Sequence, residues 1–300
     1  MIRLDEKELP NISVVGGKGY NLIKLAQSSV SVPAGFIVET SYFTQTISDV
    51  TSEADDLTVM DIKRTSERIA SLQFNQELTR ILGVEFEALN TEYVAVRSSA
   101  VSEDGKNASW AGQLDTELNV QARDLEKAIK KCWASAYSPR SLAYAAQNGV
   151  KVSDISVAVV VQKMVDSDVS GVAFSVNPVT ADKSEIVIEA VYGLGEAIVS
   201  GEITPDEYII LKTDASVMSI TVASQYKQLK RSEHRIDWIS VPEHNIEVQK
   251  LGSEMLRKIA STVTEIESSM HFPVDVEWAV EAGNLYITQA RPITTLAVAG

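Results

Sequence analysis

Cysteine is almost absent. Cys132 is the only one in 300 residues, so an intrachain disulfide framework and a metal site of several cysteines are both excluded. It stands beside Trp133 in an apparent helix, where a free thiol packs as a small apolar group. Histidine is scarce too, with only His234, His244 and His271. Basic residues are outnumbered, 27 Lys and Arg against 41 Asp and Glu, for a net charge of −14. That balance argues against nucleic-acid binding through a general basic surface, whose affinity comes from neutralising phosphates. It leaves room for a local basic pocket, and the acidity itself serves solubility. No stretch approaches the roughly 20 apolar residues of a membrane span. The polar, acidic start MIRLDEKELP does not resemble a signal peptide. A soluble, cytoplasmic protein with neither nucleic-acid nor membrane partners is expected.

What is present is ample apolar content, 45% of a chain long enough for one large domain or two ordinary ones. After a short opening strand, VVGGKGYNLIKLAQSS reads as a helix with Gly16, Gly17 and Gly19 at its start and Leu22, Leu25 and Ala26 on one face. VPAGFIVET is strand or loop, and residues 41–90 read as amphipathic helices, with Phe74, Leu78 and Leu82 as one stripe. YVAVRSSA is a strand that runs into a polar loop. Residues 123–147 are helical with an interruption at SPR, where Ser138 suits an N-cap and Pro139 the first helical position. From 155 the period becomes strand-like through ISVAVVVQKMV, GVAFSVNP, EIVIEAVYG, DEYIILK and SVMSITVAS. KQLKRSEHR, at 227–235, is a basic patch expected as a solvated loop. Residues 247–270 form a long helix with Val248, Leu251, Met255, Ile259, Val263, Ile266 and Met270 facing a core. Helices dominate the first half and strands much of the second, which predicts an α+β fold.

The final stretch, VEWAVEAGNLYITQARPITT, sets polar groups among residues that favour burial. A three-residue turn at Ala282, Gly283 and Asn284 would place Glu281 opposite Leu285, Glu277 opposite Gln289 and Asp275 opposite Arg291. These would share one face, with Val276, Trp278, Val280, Tyr286 and Thr288 on the other. An ordinary exposed sheet face with a cross-strand ion pair has the same composition. The alternative is a metal and phosphate site: oxygen ligands suit Mg²⁺, and Arg grips phosphate through paired hydrogen bonds. A two-residue turn would shift the register by one and weaken the pairing.

Two further stretches suit anions. In GGKG, residues 16–19, glycines admit close backbone approach at a helix start and Lys18 adds positive charge, although an N-terminal turn explains it equally. It is not the longer glycine-bounded Walker loop. In VRSSAVSEDG, Arg97 leaves an apolar strand, as an ion-pair partner or a phosphate ligand. WAGQLDT follows, with Gly112 and Thr116 in what is either a covering loop or plain surface.

VGGKGYNL, VPAGF, AVRSSAVSED, WAGQLDT, VVVQKMV, GVAFSVNP, YGLGEAIVSG, DVEWAV and YITQARPIT occur in one order, from about residue 10 to residue 295. In this the chain resembles the N-terminal ATP-binding domain shared by phosphoenolpyruvate synthase, pyruvate phosphate dikinase and rifampin phosphotransferase. The resemblance implies one ATP-grasp domain over 1–300 whose two lobes hold nucleotide between them, with an inter-lobe segment near 162–166. It implies that Lys18 and Arg97 contact ATP phosphates, and that Gly112, Gln113 and the residues to Thr116 form a loop over them. Gln162, Lys163, Met164 and Val165 would lie beside adenine. Glu277 and Gln289 would hold Mg²⁺, and Arg291 would bind phosphate. Lys18, Arg97 and Arg291 are the implied catalytic residues, with ATP and Mg²⁺ as cofactors.

Members of this family move the β-phosphoryl group of ATP to a histidine on a separate mobile domain. That histidine sits in a Thr-Ser/Ala-His-Gly-Gly type motif, which SEHRI, PEHNI and SMHFP do not match. A phosphohistidine domain is therefore expected beyond residue 300 or on another polypeptide. The alternative is a nucleotide-binding regulatory or assembly subunit without transfer. The lobes are expected to move relative to one another, and the 105–116 loop to order on binding nucleotide.

Overall fold

Every pairing between two strands among the described residues is antiparallel, apart from one isolated parallel bridge between Gly193 and Leu229, and helices and strands are largely segregated along the chain, so the fold is α+β. The structure is a computed structural model that describes residues 1–51, 59–101, 104–105, 108–109, 114–232 and 235–293. It divides into a first unit, Met1–Gln27 with Ala34–Met164, and a second, Ser28–Pro33 with Val165–Gly300.

The first unit runs β1 (Ile2–Arg3), α1 (Ile12–Ala26), β2 (Gly35–Val38), α2 (Thr40–Thr51), α3 (Val59–Ser71), α4 (Gln76–Ala88) and β3 (Val94–Ala100). The short strands β4 (Asp104–Gly105) and β5 (Ala108–Ser109) follow, then β6 (Thr116–Val120), α5 (Leu125–Ser135), α6 (Pro139–Gln147) and β7 (Val157–Lys163). The main sheet has the order β1-β2-β7-β3-β6. β7 is buried along all but its last residue, as expected of a Val-rich central strand. One face, with Phe36, Val38, Val94, Val96, Val157, Val159 and Val161, joins a core with Phe43, Ile69, Ile129 and Trp133 from the helices. Cys132 belongs to this core; burial pushes its thiol up to about 12, which leaves it an inert packing group. Ser138 caps α6 by accepting from Ser141 N, with Pro139 in the first turn, as the sequence predicts.

The second unit runs β8 (Val169–Phe174), β9 (Glu185–Tyr192), α7 (Glu196–Val199), β10 (Asp206–Leu211), β11 (Val217–Thr221), β12 (Lys227–Ser232), β13 (Arg235–Ser240), α8 (Ser253–Met270), β14 (Val274–Glu281) and β15 (Asn284–Pro292). Six strands form a sheet in the order β11-β10-β9-β8-β14-β15, while β12 and β13 pair separately. α8 buries Leu256, Ile259, Ala260, Val263, Ile266 and Met270. The helix starts later than the apolar stripe suggests. Gly252 is extended and caps it, so Val248 lies outside and is 45% exposed. The first six residues of KQLKRSEHR are also not a loop but β12, and Lys227, Lys230 and Arg231 within them are taken up by ion pairs. At the start of β10, Asp206 makes a fully buried ion pair with Lys250 at 2.7 Å. Asp206 further accepts from the Ala223 and Lys250 backbone N–H groups and from the Tyr208 hydroxyl.

The closing hairpin corrects one expectation while preserving another. Its turn has two residues, Ala282 and Gly283, both with positive φ (48° and 78°), as a type I′ turn requires. Glu281 therefore pairs with Asn284, not Leu285. A bulge after Glu277 then takes up Thr288, shifts the register by one, and sets Glu277 opposite Gln289 and Asp275 opposite Arg291. Two-residue turn plus bulge gives the same pairing at the far end as a plain three-residue turn. Near the turn the faces exchange: Tyr286, opposite Ala279, joins the Glu277 face, and Leu285, opposite Val280, joins the Trp278 face.

Candidate functional site

In the first unit the two anion-suited stretches meet. α1 breaks at Gly16 (φ 69°, ψ 174°) and continues as helix beyond it. A Cβ on Gly16 would stand 2.1 Å from the Ser99 carbonyl oxygen, so only glycine fits there. The Ser99 hydroxyl donates to Val15 O (2.9 Å) and accepts from Gly19 N (3.1 Å). Lys18 Nζ donates to Ser98 O at 3.1 Å. The helix start is thus stitched to the SS of VRSSA on β3. Cross-strand pairing puts Arg97 between Val160 and Thr116, so Arg97, Thr116 and Ser99 share the face opposite the main core. Gln162, two residues along from Val160, lies on that face as well and is 1% exposed.

The following residues are pinned by backbone. Lys163 N donates to Ala34 O (2.8 Å), and Met164 N to Tyr93 O (3.2 Å). Met164 Sδ accepts from Asn119 N at 3.1 Å, while Lys163 itself is exposed. The first unit ends at Met164, and Val165, which is buried, opens the longer stretch of the second. Gly112, Gln113 and half of the 105–116 loop lie outside the described residues.

In the second unit the polar groups gather on the sheet face opposite Trp278. Arg291 donates from Nε and Nη2 to a single oxygen of Asp275, at 2.9 and 2.7 Å. Gln289 is 6% exposed, and Glu277 beside it is half-buried. Register extends this row across the sheet: Gln289, Glu277, Val172, Glu189, Glu207. Burial raises the Glu189 carboxyl above its ordinary value, helped by the charges of Glu207 and Asp275. Burial also raises Asp275, against the pull of Arg291 and with the Glu277 charge adding. The hairpin turn is fixed by Asp168, whose Oδ2 accepts from Ala282 N at 2.9 Å and whose N–H donates to Val280 O at 2.8 Å.

Sequence reasoning missed Ser98 and Ser99, because hydroxyls at a strand end look like solvent contacts. It missed Glu189, although a carboxylate inside the apolar run EIVIEAVYG was a usable signal. Among the described residues no three His, Cys, Asp or Glu side chains stand close enough to hold a metal by themselves. One carboxylate and one amide oxygen, Glu277 and Gln289, still fit a hard cation that draws its remaining ligands from water and phosphate. Among the described residues no helix is long and apolar enough to cross a membrane.

Residues 12–299 match the family described as pyruvate phosphate dikinase, AMP/ATP-binding domain. A probable phosphoenolpyruvate synthase of Archaeoglobus fulgidus is 37% identical over 98% of this chain and 41% of its own length. An uncharacterized phosphotransferase, YvkC, of Bacillus subtilis is 36% identical over 94% of this chain and 34% of its own length. A rifampicin phosphotransferase of Bacillus cereus is 33% identical over 99% of this chain and 36% of its own length. The chain thus spans at most 41% of the length of these three relatives.

Proposed function

This chain belongs to the pyruvate phosphate dikinase AMP/ATP-binding domain family, and from that premise we propose that it binds ATP with Mg²⁺ and passes the β-phosphoryl group to a histidine on a further domain or a separate polypeptide. The observation that carries the reading is the seating of the Gly16–Gly19 turn on Ser98 and Ser99, which sets Lys18 beside the strand of Arg97 in a chain that matches this family over residues 12–299.

Phosphoryl transfer asks little covalent chemistry of a protein and much positioning and charge stabilisation. Lys18 and Arg97 are assigned to the phosphates in the first unit, with Gly112, Gln113 and Thr116 covering them. Gln162, Lys163, Met164 and Val165 are assigned to adenine. In the second unit Arg291 is assigned to phosphate, with Asp275 orienting its guanidinium. Glu277 and Gln289 would hold Mg²⁺, which when bound neutralises charge on phosphate oxygens.

The test supplies the chain with ATP labelled in its β-phosphate and a histidine domain taken from one of the longer relatives. Label on the histidine domain, dependent on this chain, is the expected result. ATP binding with no label on any acceptor would favour a regulatory subunit that keeps the pocket without transfer.

A further inference from the structure

The three cations of β12 each meet a carboxylate. Lys227 pairs with Glu202 at 3.0 Å, Lys230 with Asp168 at 3.6 Å and Arg231 with Asp166 at 2.9 Å. Two of these carboxylates lie in the four residues that open the long stretch of the second unit. Ser167, between them, donates to Gly193 O at 2.9 Å, and the Gly193 N–H returns a bond to Asp168 O at 3.0 Å. Positions 166, 167 and 168 are therefore held in succession by groups distant in sequence. Exposed ion pairs usually contribute little, but this one differs. Arg231 is 28% exposed, and Asp166 uses only Oδ2 for the guanidinium. Its Oδ1 is buried and accepts no hydrogen bond from the described residues. The Asp166 side chain is itself 33% exposed, so without Arg231 its carboxylate is free to swing its buried Oδ1 out to water, and the backbone of this segment loses the group that fixes it.

We propose that Arg231 is a positioning residue for nucleotide: acting through Asp166, it holds the Val165–Asp168 backbone in the shape that receives the nucleoside of ATP. This rests on the assignment of Val165 to adenine under the proposed function. The base segment and the hairpin that shapes it are 65 residues apart in sequence, so nothing local in either stretch signals the link. Lys230 acts on the same segment through Asp168, at longer range and with Asp168 59% exposed, and is the lesser of the two.

The experiment has an arm that needs no nucleotide. Hydrogen exchange is measured at the amides of 165–168 in unliganded Arg231→Ala, Arg231→Lys and the unmutated chain, with thermal unfolding alongside. Titration with ATP and with AMP follows. The expected result is faster exchange confined to this segment in Arg231→Ala, an unchanged unfolding temperature, and ATP and AMP affinities both about tenfold weaker, the low end of what losing a supporting residue costs a site. Arg231→Lys recovers most of both. Asp166→Asn weakens nucleotide by the same factor, and the double variant is no worse than either single one. Unchanged exchange at 165–168 overturns the clamp, and faster exchange with unchanged ATP affinity overturns its role in binding. Absence of ATP binding by the unmutated chain overturns the proposed function, and this inference with it, whatever exchange shows.

Discussion

The two units seat their charged residues through different contacts. In the first, Lys18 rests on a backbone carbonyl and is set in place by glycines and serines. In the second, charge is held by charge: Arg291 by Asp275, Arg231 by Asp166, and Lys250 by Asp206 with no exposure at all. The backbone and hydroxyl contacts of the first unit seat Lys18 at a glycine-rich helix start, a setting that suits a phosphate ligand. Ion pairs fix the geometry of the second unit, and Glu277 and Glu189 stand in one row across the same sheet, where burial raises the Glu189 carboxyl above its ordinary value. The two units thereby offer different chemistry, and the contrast is open to direct attack.

The largest effect is expected where the second unit depends most on paired charge. Lys250→Met leaves Asp206 buried without its cation, and a loss of about 3–5 kcal/mol is expected on breaking such a pair. Urea unfolding measures it, and a loss below about 1 kcal/mol would mean that the neighbouring N–H groups and Tyr208 suffice. Next come Lys18→Ala and Arg291→Ala, each expected to slow phosphoryl transfer by about 10²-fold, the scale of one lost charge stabiliser. Nucleotide affinity should fall less. Asp275→Asn sharpens the point, because it removes the partner of Arg291 and leaves its charge. If Arg291 serves only Asp275, Arg291→Ala transfers at the unmutated rate.

Gly16→Ala attacks the first unit through its backbone. The added Cβ meets Ser99 O and sits at positive φ, so a loss of about 1–3 kcal/mol is expected from strain of this kind. Ser99→Ala in the same chain should ease the contact only partly, since the closest atom belongs to the backbone. The smallest effect concerns Glu189. Its folded carboxyl lies above the unfolded value, so its contribution to stability is present below the unfolded value and lost as pH rises through the folded one. Glu189→Gln should therefore be the more stable form at neutral pH in metal-free protein. The two should converge when pH falls below the ordinary carboxylate range, as read by urea unfolding at both ends.

Much of this was legible in the sequence, for reasons particular to each element. The Val-rich β7 run, the stripe of α8 and the Ser138–Pro139 cap each carry a local signal that nothing distant overrides. The pairing of Glu277 with Gln289 was legible for an accidental reason: a tighter turn and a bulge at Thr288 offset one another. Alternation alone cannot show a bulge, and so it puts Tyr286 and Leu285 on the wrong faces. β12 was hidden because Lys and Arg favour solvent until carboxylates at 166, 168 and 202 take up their charge. The meeting of GGKG with Ser98 and Ser99 spans some 80 residues, and no periodicity reports a contact of that range.

The central claim is that this domain binds ATP through cations in the first unit and a metal held in the second. Isothermal titration of the unmutated chain with ATP, with and without Mg²⁺, tests it most directly, with Glu277→Ala measured beside it. The account predicts saturable binding that strengthens with Mg²⁺, and a Glu277→Ala protein that needs excess Mg²⁺ to approach it. A folded sample that takes up no ATP at millimolar nucleotide, with Mg²⁺ present, would contradict it.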